Sequence, residues 1–236
     1  MKISFIIATY NVSEKVTVTL ESIITQKNLS YEIIVIDGGS KDNTVECIKK
    51  YSTFLTFFLS ESDNGIYDAW NKALSNVSGD WIMFTGAGDY FEKNFFKKIN
   101  FNSINSEIII SDVNIVDVKG NFLRKVSNDF NSNIFIKYMN IPHPGIIHKA
   151  DIFKRLGGFN DKYKIAGDYE FLLRNMNKLT FQKISLTSIN MINDGISNSY
   201  KVFLENYLIK SNLNKGNVFL NIYMLVKSLL IYFLKK

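Results

Sequence analysis

A single cysteine, Cys47, sits inside a helical pattern, so the 236-residue chain offers neither a disulfide framework nor a thiolate metal site, and a reducing, cytoplasmic setting fits it. The apolar stretch near the N-terminus, Ile3 to Ala8, is too short for a signal peptide and lacks a small-residue cleavage site; it reads as a first strand. No Gly-x-Gly-x-x-Gly follows that strand, where Thr9-Tyr10-Asn11 stands instead, which argues against a Rossmann dehydrogenase. Internal repeats and low-complexity linkers are absent. Proline is scarce: both copies fall in Ile141-Pro142-His143-Pro144-Gly145, a loop of fixed shape that also holds one of the two histidines. Acid is scarce towards the C-terminus, where six lysines from Lys201 onward meet one acid, Glu205, a balance of +5 out of a net +6. The first 200 residues are therefore nearly neutral, which argues against a nucleic-acid groove in the body and leaves something acidic for the tail to meet.

Apolar sequence is present in ordinary proportion, 46% hydrophobic against 21% charged, enough for one large α/β domain with an appendage. Its centre is Ser60 to Phe91. An acidic turn (Glu61, Asp63, Asn64, Gly65) leads into a helical pattern with Ile66, Trp70, Ala73, Leu74 and Val77 on one face and Asp68, Asn71 and Lys72 on the other. An apolar strand, Trp81 to Phe84, then stops at Gly86-Ala87-Gly88-Asp89, which places Asp89 at the carboxyl edge of a sheet, where open α/β sheets bind ligands. Upstream, a strand over Lys2 to Thr9, a helix from about Glu14, a strand over Glu32 to Ile36, a helix over Val45 to Tyr51 capped by Asp42-Asn43-Thr44, and a strand over Phe54 to Ser60 complete a β-α-β-α-β-α-β order. That order predicts a parallel, doubly wound sheet. Gly38 and Gly39 allow the main chain to close on a flat ligand.

After Phe91 the sheet is expected to become mixed: a strand over Glu107 to Ser111, a hairpin of Asn114 to Val118 with Phe122 to Val126, a short helix over Asn131 to Met139, a helix entered at Ala166-Gly167-Asp168, a strand over Thr180 to Met191, and two closing helices.

Five strings now stand in order: Ala8-Thr9-Tyr10-Asn11, Ile36-Asp37-Gly38-Gly39-Ser40, Ser60 to Ala73, Gly86-Ala87-Gly88-Asp89 and Ala166-Gly167-Asp168-Tyr169-Glu170. Together they resemble the signature of bacterial family 2 glycosyltransferases with the GT-A fold, over roughly residues 1 to 200. The resemblance implies a Rossmann-like, mostly parallel central sheet, a nucleotide-binding half over 1–91 and an acceptor-binding half over 92–200. It also implies inverting transfer, hexosyltransferase in type, from a nucleotide-sugar, with a UDP-sugar favoured. Residue by residue, Thr9, Tyr10, Asn11, Asp37, Gly38, Gly39 and Ser40 would hold the nucleotide, and Asp63, Gly65, Asp68, Asn71 and Lys72 the donor sugar and its phosphates. Asp89 would hold Mn²⁺ or Mg²⁺, His143 could complete that shell, and Asp168 would be the general base. Three departures stand out: glycines occupy positions 38, 88 and 167, where relatives commonly carry acids.

Plainer readings stay open beside these. Asp37 and Ser40, or Asp168, could only cap helices; Asp89 could be a turn acid; Lys72 a solvated surface residue; His143 and His148 packed residues. The run Val218 to Leu234 is apolar except for Asn221, Lys227 and Ser228, with Asn217, Asn221, Ser228 and Lys235 along one stripe. It fits a helix lying in a membrane surface, or one packed on the body or on a second copy. The expectation is a cytoplasmic enzyme held peripherally on the inner face of the membrane, acting on a lipid-linked or surface-polysaccharide acceptor such as lipopolysaccharide or capsule. A catalytically idle subunit that binds nucleotide-sugar or a partner transferase is the alternative, favoured by Gly88 and Gly167.

Overall fold

The computed structural model describes residues 1–127, 129–195 and 199–234; Lys235 and Lys236, counted above among the tail's cations, lie outside them. Strands β1 (Lys2–Thr9), β2 (Ser30–Asp37), β3 (Phe57–Ser60) and β4 (Trp81–Gly86) run parallel in the order β3-β2-β1-β4, with α1 (Ser13–Ile24), α2 (Thr44–Lys49) and α3 (Ile66–Leu74) between them. These strands are largely apolar because both faces are covered: Ile6, Ile34 and Phe84 pack into one core with α3, while Phe5, Ile33 and Met83 pack into a second with α1. The register pairs Thr9 with Asp37 and Asp37 with Ser60, so three polar strand ends meet at one edge.

Beyond this unit lie β5 (Tyr90–Phe91), β6 (Ile108–Val116), β7 (Phe122–Val126), β8 (Ile146–Lys149) and β9 (Phe181–Ile192). The sheet turns mixed at β8, which runs antiparallel between β4 and β6; β6 then pairs parallel with β9 and antiparallel with β7, and β5 lies antiparallel on β9. Where the sequence suggests two strands, Glu107–Ser111 and Asn114–Val118, the structure has the single strand β6. Its pairing with β9 shifts register around Asp112, a buried acid that pairs with Lys125 and Lys183. That acid reads locally as a break, yet two cations from neighbouring strands keep it inside. β8 went unread because only Ile146 and Ile147 are apolar in it. β3 is shorter than expected, since Ser52–Phe54 forms a 3₁₀ turn.

Four short or medium helices, α4 (Ser132–Phe135), α5 (Asp151–Leu156), α6 (Gly167–Asn175) and α7 (Lys201–Asn212), precede the long α8 (Val218–Leu234). α7 is not a detached appendage: Ile209 is fully buried in the core that also holds α3 and α6 residues. In α8 the usual polarity is reversed. Asn221 is buried and donates to the Lys215 carbonyl, and Ser228 lines a cavity in the body. Phe219, Leu230, Phe233 and Leu234 face outward, with Phe219 82% exposed. Among the described residues, no helix is long and apolar enough to cross a membrane.

Candidate active site

At the carboxyl edge of the parallel strands, Asp37 is the organiser. Its Oδ1 accepts from the Thr9 and Ser40 hydroxyls (3.0 and 2.5 Å). Its Oδ2 accepts from the Gly39 and Ser40 amides (3.1 and 2.9 Å) and from Ser60 Oγ (2.7 Å). Five donors saturate a carboxylate, and they hold its pKa below the ordinary value against the opposing effect of burial. The residue is 0% exposed, and all five of these donors come from the strand ends and the loop that follows β2. Thr9, Ser40 and Asp37 shape the ledge. Asn11 is likewise engaged, its Oδ1 taking the Lys41 amide and its own amide reaching Ser40 Oγ. Tyr10 stands beside them with its ring 61% exposed.

The ledge continues through Asp63. A side chain at position 38 would begin 2.8 Å from Asp63 Oδ2, so the Asp63 carboxylate fills the space that an acid at Gly38 would need. Asp63 Oδ1 is fixed by the Gly65 amide at 2.8 Å. Gly39, at φ +78°, turns the chain under the backbone of Ser62.

The donor-side residues on α3 separate. Asp68 accepts from the Asn64 amide and pairs with Lys72. The Lys72 ammonium is held between Glu61 (2.8 Å) and Asp68 (3.5 Å), which raises its pKa. It thereby ties the acidic turn to α3. Asn71 turns away, exchanging two 2.9 Å hydrogen bonds with the backbone of Phe159, and so is structural. Tyr67 was missed: its spacing off the apolar face hid it, yet it is 3% exposed and its hydroxyl lies 3.0 Å from Asp168 Oδ1 and 2.8 Å from the Ile165 carbonyl. A side chain at Gly167 would begin 2.8 Å from the Tyr67 ring. The ring thus occupies the space of a second missing acid.

Asp168, in the first turn of α6, lines a cavity of about 610 Å³ between the acceptor half and the two C-terminal helices. Its Oδ1 also accepts from the Tyr169 amide at 2.8 Å, and burial pushes its pKa up to about 6. Glu205 of α7 clamps the approach to it, accepting from the amides of Lys164, Ile165 and Ala166 at 2.8 to 2.9 Å.

Asp89 does not line that cavity. It is buried, its Oδ1 accepts from the Ile192 amide at 2.9 Å, and burial raises its pKa to about 7, with the nearby Asp194 charge adding to the shift. Asp194 pairs with Lys15 at 2.5 Å. A side chain at Gly88 would meet Ile192 Cδ1 at 3.0 Å and the Lys15 stem at 3.6 Å, so the third missing acid has lost its space as well. His143, the other expected contributor to a metal shell, lies apart from Asp89. Its ring stacks on Trp70 among Phe84 and Phe159, burial lowers its pKa to about 3, and it borders the Asp168 cavity instead of Asp89. Among the described residues, no three His, Cys, Asp or Glu side chains converge on one metal position.

Comparison with known proteins places this geometry. Residues 4–168 match the family model described as Glycosyl transferase family 2. The PGL/p-HBAD biosynthesis glycosyltransferase of Mycobacterium bovis is 27% identical over 176 residues, covering 72% of this chain and 68% of that one. Glycosyltransferase GlyA of Streptococcus pneumoniae is 33% identical over 96 residues, 40% of this chain and 14% of that protein. Among solved structures, S. aureus TarS 1-349 in complex with UDP is similar at a TM-score of 0.68 and 20% identity, covering 97% of this chain and 71% of that one. Mannosyltransferase PcManGT from Pyrobaculum calidifontis, in complex with GDP-Man and Mn²⁺, is similar at 0.64 and 14% identity, covering 96% and 72%. The structural likeness shows the fold, which is the expected GT-A architecture. The family match runs through every motif up to Asp168 and spans well over half of the sequence, and the chain belongs to glycosyl transferase family 2.

Proposed function

We propose that this glycosyltransferase moves a sugar from a nucleotide-sugar, UDP-linked by preference, to an acceptor hydroxyl with inversion, using Asp168 as general base. The observation that carries the reading is the Asp168 carboxylate itself, fixed through Oδ1 by Tyr67 and Tyr169 on the wall of a cavity large enough for a sugar. A direct displacement needs a base that is ionised at working pH and able to take the hydroxyl proton as the bond forms. A pKa of about 6 meets both demands. The nucleotide would lie on the opposite ledge, its base against the exposed Tyr10 ring and its polar edge near Asp63. The UDP and UDP-GlcNAc complexes of TarS and the GDP-Man complex of PcManGT support a nucleotide-sugar donor.

The residues present fit a divalent cation that arrives on the diphosphate better than one held by the protein alone. Asp89, with Asp194 close by, would supply carboxylate oxygen and phosphate and water the rest. Bound there, Mn²⁺ or Mg²⁺ would supply charge stabilisation for the departing diphosphate. Lys15, paired with Asp194, adds a positive charge on the same side.

The outward apolar face of α8 supports a membrane-surface position and, with it, a lipid-linked acceptor; a second copy of the chain is the other surface that could cover it. An idle subunit is the second reading, favoured by Gly88 and Gly167, but the Tyr67 ring takes the space beside Gly167 and brings its hydroxyl to Asp168. Purified chain assayed for UDP-sugar turnover with Mn²⁺ and a lipid-linked acceptor should lose about 10²- to 10⁴-fold in kcat on Asp168→Asn, with UDP binding retained. Equal turnover by wild type and variant would remove Asp168 from the chemistry.

A further inference from the structure

We propose that the cavity beside Asp168 takes an acceptor bearing a phosphate ester joined to an apolar chain, with the Lys210 ammonium on the phosphate. The inference rests on the transfer reading for the fate of the acceptor hydroxyl, but its own observations are separate. Lys210 lines the cavity, is 3% exposed, and makes one protein hydrogen bond, to the Lys137 carbonyl at 3.1 Å. An ammonium has three donors, and a buried cation is costly unless paired. No carboxylate among the described residues pairs with Lys210. Burial alone pulls its pKa below the ordinary lysine value, as expected of a charge waiting for a counter-ion.

The rest of the wall agrees. Arg124 and Lys137, both exposed, line the same cavity, and Asp168 is its one carboxylate among the described residues, so cations outnumber acids along its wall. Three cations around one volume suit a phosphate better than a single carboxylate. Phe203, Met224 and Leu225 give the cavity an apolar flank on the inward side of α7 and α8. Between the two, Asn206 Oδ1 is buried without a hydrogen-bond partner and can accept from a sugar hydroxyl. Base, hydroxyl acceptor, cation and apolar flank therefore occur in one cavity, which is the chemistry of a sugar phosphate carried on a lipid alcohol.

The test is binding, not turnover. Full-length chain with UDP present is titrated with decyl phosphate, decanoate, decyl glucoside and inorganic phosphate. Decyl phosphate should bind at least tenfold tighter than each of the other three. Lys210→Met should bring decyl phosphate and decyl glucoside within about twofold of each other, while Lys97→Met, on a distant exposed turn, should keep the preference. Should Lys210→Met fail to fold, wild type labelled by a decyl phosphate with a diazirine at its tail gives the same answer, with label expected on α7 or α8. Decanoate or decyl glucoside binding as well as decyl phosphate, a preference that survives Lys210→Met, or label found only outside the two helices would each overturn the proposal. UDP affinity, followed in every arm, reports on the donor reading independently.

Discussion

The Tyr67 hydroxyl lies 3.0 Å from Asp168 Oδ1, joining the first turn of α3 to the first turn of α6 across 101 residues of sequence. The ring reaches that position only because residue 167 is glycine. The hydrogen bond favours the ionised carboxylate, opposing the upward push of burial that leaves Asp168 at about 6. Tyr67→Phe should therefore raise the apparent pKa on the acid limb of the kcat profile. It should also lower kcat at pH 7 by about tenfold, the worth of one hydrogen bond of roughly 1.4 kcal/mol. A purely structural role would lower stability and leave the limb where it is. Initial rates across pH 5 to 8 decide between them.

Glu205 makes α7 part of the site. Its carboxylate holds three successive amides just before Asp168. Glu205→Ala should reduce stability by about 2 kcal/mol or more, since bonds to a charged group are worth about 1.5 to 3 kcal/mol each and are not additive. It should also lower kcat more than it raises the donor KM, because the freed loop leads to Asp168, the proposed base, and not to the proposed nucleotide ledge. Denaturant titration together with steady-state kinetics checks both parts.

Gly38 and Asp63 form an exchangeable pair. Gly38→Asp brings a side chain within 2.8 Å of Asp63 Oδ2 and sets two carboxylates against each other. UDP affinity should fall about tenfold in the single variant and recover in Gly38→Asp combined with Asp63→Ala, as calorimetry on the double-mutant cycle would show. Additive losses would mean that the two residues do not share a function.

Asp89 links stability to pH, and on the proposed reading to metal as well. Its folded pKa of about 7 lies above its ordinary value of 3.8, so its contribution is full below about pH 4 and is lost as pH rises through 7. Wild type should melt lower at pH 8 than at pH 5, and Asp89→Asn should flatten that fall. Mn²⁺ with UDP at pH 7 should release protons from wild type and raise its melting temperature, effects that Asp89→Asn should lose. Removal of the metal with a chelator should restore the original melting curve.

The parallel half of the fold was legible from the sequence because each strand carries an apolar run, Phe5 to Ala8, Ile33 to Ile36 and Trp81 to Phe84, that ends in polar or glycine residues, as burial on both faces favours. The ordered motifs also pointed to Asp168, which stands in the first turn of a helix and lines a cavity. What neighbouring residues in sequence cannot encode is which side chain fills the space left by another. Gly38, Gly88 and Gly167 read as missing acids, and only the packing of Asp63, Lys15 with Ile192, and Tyr67 against them shows that each space is taken. Asp37 and His143 look like ligands by position, yet tertiary contacts saturate the first and bury the second among aromatic rings. In the same way, the composition of α8 gives an apolar helix with a polar stripe, but only the packing shows Asn221 turned inward onto the Lys215 carbonyl and Ser228 onto the cavity.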